Sequence, residues 1–325
     1  MKALLLSDIH LSDRSPSSCT ESYMEDLLKL LGETVAVAEE HKVDAVVWAG
    51  DVFNSKAPAR NSHWLVQQVT GVLLAYQRPC FIVPGNHDVQ HDDLSSIWKT
   101  QPLGVLYRTG VAKPLIGRCR EFPQLFGVPW QQEWSNENVG EALRGFREGD
   151  ADLLSPPPRA RSLVVAHAPL YPPGMELSFE YYDTVMWSAA MGHQGSCFYG
   201  HVHEYHGSYD VAGVKFCNNG ALSRGSLHEH NLTRQVMCTI WDSTDVSFTE
   251  VPLHAKPASE VFRLREKQEV VDSALKLDEF LSGVGSTQFD VLSVESVLAH
   301  VRGLGVGKDV EDEVAELLDW SAHQT

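Results

Sequence analysis

Five short apolar runs of this chain each end in a cluster of Asp, Asn or His residues, and this repeated pattern constrains the fold most. The five clusters are SDIH (7–10), GDVFN (50–54), PGNHD (84–88), AHAP (166–169) and GHVH (200–203). The runs have the length of buried strands, and the segments between several of them follow helical spacing. Open α/β sheets place their sites at the carboxyl ends of strands, so we expect the clusters to converge on one crevice.

The first two-thirds of the chain alternates β-rich runs with helical patterns. We predict strands at 3–7, 43–49, 81–83, 163–166 and 197–199, and covering helices over 24–38 and 64–76. From 209 to 253 short strands follow at 214–217, 236–241 and 246–251, and we expect them to complete a second sheet as hairpins. The predicted fold class is α/β, a two-sheet mixed β-sandwich flanked by helices.

The strand pattern stops after Pro257. Apolar stripes at helical spacing over 270–281, 294–304 and 310–318 predict three amphipathic helices, separated by glycines. We therefore predict a large domain over residues 1–257 and a small helical C-terminal domain over residues 258–325.

Charge, cysteine count and hydropathy limit the class of protein. The 325 residues carry a net charge of −17, which argues against a module that binds nucleic acid by charge alone. The six cysteines form no CxxC pair, which argues against a disulfide scaffold or a cysteine zinc site. No apolar run is long enough to cross a membrane, and Asp8 interrupts the N-terminal run too early for a signal peptide. We expect a soluble cytoplasmic protein without a membrane partner.

The spacing within the clusters favours metal binding. Residues two apart in an extended chain point to the same side, so Asp8 and His10 can hold one ion. His201 and His203 can do the same, or can serve two different ions where the chain leaves the strand. Mixed carboxylate, amide and imidazole ligands suit manganese, iron or zinc. Two such ions about 4 Å apart activate water and neutralise phosphoryl oxygens during in-line displacement.

The set DxH, GDxxN, GNHD, an isolated His and GHxH resembles the calcineurin-like metallophosphoesterases. Within that superfamily, GDVFNSKAP (50–58) followed by PGNHD is most similar to the SbcD-type DNA repair nucleases. The resemblance covers roughly residues 1–255 and implies the metallophosphoesterase fold for the predicted domain 1–257, which would be catalytic.

The resemblance also implies a role for each motif residue. The first metal ion would be bound by Asp8, His10 and His203, and the second by Asn86, His167 and His201, with Asp51 as the bridge. His87 would face the scissile phosphate, oriented by Asp88. Many SbcD-type relatives have an acid or a second His at the position of Asn54. Asn54 can still form a hydrogen bond, and it is a candidate for supporting the ligands without binding a metal ion itself. Arg224 is a candidate phosphate contact, with a structural salt bridge as the equal alternative.

The predicted function is that of a two-metal-dependent phosphodiesterase, a DNA exonuclease or endonuclease of SbcD type. The resemblance favours Mn²⁺, with Fe²⁺, Zn²⁺ and Mg²⁺ as alternatives, and implies DNA as substrate, an SbcC-like ATPase partner and a homodimer. A cyclic-nucleotide or other small-molecule phosphodiesterase is the enzymatic alternative, which the net charge of −17 favours. An inactive protein-binding scaffold is the third hypothesis. Such a scaffold should have lost metal ligands or the histidine of GNHD, and this sequence retains them. We expect five further histidines to be surface or supporting residues: His91, His193, His206, His228 and His230.

Overall fold

The computed structural model describes residues 1–148, 159–175 and 181–264, together with residues 302, 308 and 314. Its strands are β1 (Lys2–Leu6), β2 (Ala45–Trp48), β3 (Cys80–Ile82), β4 (Lys113–Pro114), β5 (Gly117–Arg118), β6 (Leu125–Val128), β7 (Leu163–His167), β8 (Leu170–Tyr171), β9 (Tyr182–Asp183), β10 (Ser196–Gly200), β11 (Gly207–Val211), β12 (Val214–Asn218), β13 (Met237–Asp242) and β14 (Ser247–Pro252). Its α-helices are α1 (Tyr23–Glu40), α2 (His63–Ala75), α3 (Ser96–Lys99), α4 (Pro102–Arg108), α5 (Asn136–Ala142), α6 (Arg144–Glu148), α7 (Thr184–Ala190), α8 (Glu229–Thr233) and α9 (Ala258–Val261).

Two six-stranded mixed sheets form the centre of the fold. The first has the order β14-β13-β1-β2-β3-β4, with β1 to β4 parallel and β13 and β14 antiparallel to their neighbours. The second has the order β11-β12-β10-β7-β6-β5, with four parallel central strands and an antiparallel strand at each edge. This arrangement confirms the predicted two-sheet mixed sandwich.

The alternation of side chains along each strand divides the core into layers. Leu5 of β1 packs between the sheets in one cluster with Phe198 of β10. Leu4, on the opposite face of β1, packs with Leu31 of α1 in the cluster under the first helical layer. The outer face of the second sheet packs in the same way against α5, α6 and α7. Because both sheet faces are covered, the strand ends are where polar side chains can meet solvent.

The last two strands join a different sheet from the one predicted. β11 and β12 extend the second sheet, as expected, but the hairpin β13–β14 pairs with β1 and extends the first sheet. A hairpin pattern indicates which neighbouring strands pair, whereas the sheet edge that receives the hairpin depends on long-range register. The periodicity of the sequence therefore does not predict which sheet the hairpin joins.

The chain divides into two compact units, Met1–Phe262 and Arg263–Thr325. The three helices that the sequence predicts between 270 and 318 lie outside the described residues, apart from the single positions 302, 308 and 314. No helix in the described ranges is both long enough and apolar enough to span a bilayer.

Candidate metal centre

The carboxyl ends of five strands meet at one end of the sandwich, as the motif pattern predicts. The strands are β1, β2 and β3 of the first sheet and β7 and β10 of the second. They bring together all seven predicted ligands, which are Asp8, His10, Asp51, Asn86, His167, His201 and His203. These side chains form two groups of donor atoms and one shared carboxylate.

Asp8, His10 and His203 form the first group. Nε2 of His10 lies 3.0 Å from Nε2 of His203. Oδ1 of Asp8 lies 3.9 Å from the former nitrogen and 3.7 Å from the latter. Two donors that bind one ion at about 2.1 Å lie about 3.0–3.4 Å apart at ordinary bond angles. The spacing of this group is therefore close to what one divalent ion requires.

Asn86, His167 and His201 form the second group. Oδ1 of Asn86 lies 2.9 Å from Nε2 of His167 and 3.0 Å from Nδ1 of His201. Nδ1 of His167 donates to the carbonyl of Ala49 at 2.7 Å, so the neutral ring carries a lone pair on Nε2. That lone pair faces the oxygen of Asn86, which is also an acceptor. Two facing acceptors repel unless a proton or a cation lies between them, so the donor set fits a cation.

Asp51 lies between the two groups. Its Oδ2 is 3.5 Å from Nε2 of His10 and 3.5 Å from Nε2 of His167. Its other oxygen accepts the backbone N–H of His87 at 2.8 Å. One fully buried carboxylate thus contacts both groups, which is the geometry that the predicted bridging role requires.

Four candidate ligands have a left-handed backbone, which residues other than glycine rarely adopt. The φ angles are 52° for Asp8, 49° for His10, 53° for Asp51 and 82° for His201. Such strain persists where the surrounding structure enforces it, and it concentrates at functional sites. The surrounding loops therefore hold the backbone of these four residues in its strained conformation.

Two glycines allow the strand ends to approach one another closely. A Cβ on Gly50, whose φ is 94°, would lie 2.3 Å from Nδ1 of His167. A Cβ on Gly85 would lie 2.2 Å from Oδ1 of Asp51. The missing Cβ at these two positions therefore permits the close packing of the loops that carry Asp51 and His167.

His87 and Asn54 lie at the edge of the two groups. Nδ1 of His87 bonds to the carbonyl of Asn54 at 2.6 Å, and its ring meets that of His10 edge-on at 4.9 Å. Both His87 and Asn54 line a cavity of about 270 Å³, which His10 and His203 also line. The donor atoms of His87, His10 and Asp51 lie within 4.8 Å of one another, so this ring lies within reach of the centre and of a ligand in the cavity.

Asp88 does not orient His87 as predicted, because the ring is held by the carbonyl of Asn54. The carboxylate of Asp88 instead accepts the backbone N–H groups of Asp51 at 2.8 Å, Gly85 at 3.0 Å and Val52 at 3.1 Å. It thereby joins the loops that follow β2 and β3. Burial, and then the charge of Asp51, raise the pKa of Asp88 to about 7.

Arg224 is not brought to the candidate centre. Its guanidinium donates to the carbonyl of Lys256, and the residue lines a separate cavity beside α1. This placement agrees with a structural role and gives no support to the predicted phosphate contact.

Residues 1–205 match the family model of the calcineurin-like phosphoesterases. The chain belongs to this family. The phosphoesterase is also similar to the DNA double-strand break repair protein Mre11 of Saccharolobus solfataricus, with 23% identity over 175 residues. That match covers 51% of this chain and 41% of the relative, so it extends over less than half of the relative's length.

Two solved structures are similar to this phosphoesterase at low identity. TT1561 of Thermus thermophilus has a TM-score of 0.49 and 11% identity, and the match covers 77% of this chain and 98% of TT1561. A dimetal phosphatase from Danio rerio has a TM-score of 0.47 and 12% identity, with 79% of this chain and 97% of the other covered.

Burial and mutual charge shift the pKa values in this phosphoesterase in opposite directions. Burial lowers the pKa of His10 and His201 to about 3, so both rings are neutral, as metal binding requires. Burial opposes protonation of His167 as well, but the charge of Asp51 outweighs it and raises the pKa of His167 to about 9. Against the effect of burial, the same pairing holds the pKa of Asp51 well below its ordinary value. A cation at the second group would therefore replace a proton on His167.

Sequence reasoning misses Trp130, which lies against the centre. Its ring lies 4.7 Å from the ring of His201 at an angle of 36°. Its Nε1 donates to Asp92 at 3.1 Å. Trp130 follows the end of β6, the strand-end position that the ligand clusters also occupy. The position of Trp130 just after a strand is therefore a signal in the sequence, but it can be recognised only if β6 is predicted, and the sequence pattern predicts no strand there.

Proposed function

We propose that the chain hydrolyses phosphodiester bonds in DNA with two divalent ions, as a nuclease of SbcD type. The observation that carries the proposal is the contact of one carboxylate, Asp51, with both donor groups at 3.5 Å. The first ion would be held by Asp8, His10 and His203, and the second by Asn86, His167 and His201. Mn²⁺ is the ion that the motif resemblance favours, and the mixed nitrogen and oxygen donors also accept Fe²⁺ or Zn²⁺.

Two divalent ions, when bound, supply Lewis-acid chemistry that activates water and neutralises phosphoryl charge. The side chains of the protein determine where that chemistry takes place. Asp8 and Asp51 offset part of the charge of the ions, and the remaining positive charge attracts a phosphate to an acidic protein. His87 has Nδ1 engaged by the Asn54 carbonyl, which leaves Nε2 to hold or release a proton at the leaving oxygen.

DNA as the substrate is supported by the GDVFNSKAP and PGNHD motifs and by the similarity to Mre11. An SbcC-like ATPase partner and a homodimer belong to the same proposal and rest on the motif resemblance alone.

A small-molecule phosphodiesterase is the second candidate, and two observations favour it. The net charge of the chain is −17. In addition, no Lys or Arg is among the described residues that line the two cavities beside the centre. A long DNA strand usually requires cationic side chains along its path.

A manganese-supplemented activity panel separates the candidates. It compares linear duplex DNA, single-stranded DNA, cyclic nucleotides and bis(p-nitrophenyl) phosphate, with p-nitrophenyl phosphate as the monoester control. We expect cleavage of DNA and of the chromogenic diester. Rapid turnover of cyclic nucleotides without DNA cleavage would favour the second candidate, and no diester hydrolysis at all would contradict both.

Replacement of the shared carboxylate tests the metal centre without an activity assay. We expect Asp51→Asn to lower the affinity for both ions, because the amide removes the negative charge between the groups. The matched variant Asp8→Asn should chiefly weaken one ion. Metal content and calorimetric titration with Mn²⁺ measure both effects, and two tightly bound ions in Asp51→Asn would contradict the bridging role.

A further inference from the structure

A second cavity, of about 280 Å³, adjoins the candidate centre. Its wall on the side of the centre consists of His201 and His203, and its outer wall includes Tyr171, Glu204, Ser226, His228 and His230. His203 and Ser226 also line the cavity that contains His87. The two cavities therefore lie side by side at the centre. A phosphodiester carries two ester groups, and two adjoining cavities can receive one group each.

The charge of the second cavity disfavours a phosphate as its occupant. Glu204 is half-exposed, and its closest ionic partner is Nδ1 of His230 at 3.8 Å, which is too long for a hydrogen bond. The carboxylate is thus available to accept hydrogen bonds from a ligand. No described residue that lines this cavity is a Lys or an Arg, so the carboxylate would repel an anionic group. The cavity suits an uncharged group that carries N–H donors.

The shape of the outer wall suits a flat ring. The rings of His228 and His230 are nearly parallel, with an angle of 9° and centroids 5.7 Å apart. His228 is exposed, and Nε2 of His230 is buried with no hydrogen-bond partner within the described chain. Imidazole faces are among the surfaces on which nucleobases stack. A volume near 280 Å³ lies just below the usual range of small-molecule sites, so one ring system fits rather than a duplex.

We propose that this cavity binds one nucleobase with an exocyclic amino group, which stacks on His228 and donates a hydrogen bond to Glu204. The inference rests on the proposed phosphodiesterase function and names its substrate class, an ester of a nucleotide whose phosphate lies at the metal centre. Because Glu204 disfavours a further phosphate here, the base belongs to a terminal nucleoside. That nucleoside is either the end of a DNA strand or part of a small nucleotide diester.

Two pyrimidine substrates of similar size differ at the amino group. The p-nitrophenyl esters of deoxycytidine and thymidine 5′-monophosphate present an amino group and a carbonyl, respectively, at the same ring position. A hydrogen bond to a charged group contributes roughly tenfold or more in affinity. We expect the manganese-loaded protein to show a KM about tenfold lower for the deoxycytidine ester, with similar kcat values. Glu204→Ala should remove this difference, whereas His228→Ala should raise KM for both esters.

Controls distinguish failure of this inference from failure of the proposed function. Glu229→Ala removes an adjacent exposed acid that does not line the cavity, and should leave the preference intact. Bis(p-nitrophenyl) phosphate carries no base, so every variant should hydrolyse it at the rate of the unmodified protein. If this diester is not hydrolysed, the proposed function fails. If it is hydrolysed while the two nucleotide esters have equal KM values, the cavity inference is overturned and the phosphodiesterase function stands.

Direct binding provides a readout apart from turnover. Ligand-observed NMR with the full chain should show deoxycytidine binding more tightly than thymidine, and Glu204→Ala should abolish the difference. Equal binding of both nucleosides to the unmodified protein would overturn the inference.

Single-stranded oligonucleotides that end in deoxycytidine or thymidine then identify the source of the base. A preference in both assays assigns the cavity to a strand end, and a preference with the mononucleotide esters alone assigns it to a small diester.

Discussion

A proton on His167 and a divalent cation would compete for one position in the centre. Nδ1 of His167 is engaged by the carbonyl of Ala49, so any proton on Nε2 lies towards Asn86 and Asp51. The imidazolium satisfies these acceptors when no ion is bound. Nε2 of His167 would have to lose that proton to serve as a ligand of a divalent ion.

This competition predicts a pH dependence of stability in the protein freed of metal by chelation. The folded-state pKa of His167, about 9, lies above its ordinary value of 6.5. Its stabilising contribution is therefore fully present below pH 6.5 and is lost as the pH rises to 9, and it amounts to roughly 3 kcal/mol at most. Urea unfolding at pH 6.5 and pH 9 measures the loss, with His167→Asn as the control that should lack it. An unfolding free energy that rises with pH over this window only when His167 is present would contradict the ion pair.

His87 should affect the reaction rate and not the metal content. Its ring is held by the carbonyl of Asn54 and lines the cavity beside the centre. We expect His87→Ala to keep both ions and to lower kcat for a chromogenic diester by about 10²-fold or more, because proton transfer to the leaving oxygen is lost. His63→Ala, at an exposed position on α2, is the matched control. Metal loss in His87→Ala comparable to that in His167→Ala would identify the ring as a ligand.

At the scale of secondary-structure elements, the sequence predicts the strands that carry the ligand clusters well, and β4, β5 and β6 poorly. The strands that carry the ligand clusters are continuous apolar runs, because both of their faces are buried. β4 and β5 have only two residues each, and β6 contains a glycine, so their patterns are too weak to read. The left-handed backbone at the candidate ligands and the contacts of the Asp88 carboxylate arise only when distant loops meet, and no local pattern encodes them.

Gly85 shows how the loop after β3 depends on the loop after β2. A Cβ at this position would lie 2.2 Å from Oδ1 and 2.5 Å from the backbone nitrogen of Asp51. We expect Gly85→Ala to lower the free energy of unfolding by roughly 1–3 kcal/mol and to weaken metal binding, because Asp51 must move. Urea unfolding and Mn²⁺ titration measure the two effects.

A glycine in a helix provides the control with the opposite sign. A Cβ on Gly71 of α2 would meet no atom within 4 Å. Gly71→Ala should raise the free energy of unfolding by about 0.5–1 kcal/mol through helix propensity, with metal affinity unchanged. If the two substitutions changed the free energy of unfolding equally, the structure around Gly85 would accommodate a Cβ without loss of stability, which would contradict the prediction.

At the scale of the whole molecule, charge and site chemistry point to different kinds of contact with substrate. The chain has 26 basic and 43 acidic residues, so its long-range field repels a polyanion. The candidate centre, by contrast, gathers nitrogen and oxygen donors around positions that suit divalent cations. Attraction of phosphate would therefore be local, and the number of phosphates contacted at once would be small.

The salt dependence of DNA binding measures that number. For duplex DNA, the slope of log K against log salt concentration is about −0.9 for each phosphate neutralised by a cationic side chain. We expect a slope shallower than about −3 for the manganese-loaded His87→Ala variant, which should bind DNA and cleave it slowly. Fluorescence anisotropy with a labelled duplex and a labelled single strand, at several salt concentrations, provides the slope. A slope as steep as about −6 would require an extended cationic path, which the described cavities beside the centre lack, and the path would then have to lie elsewhere in the protein.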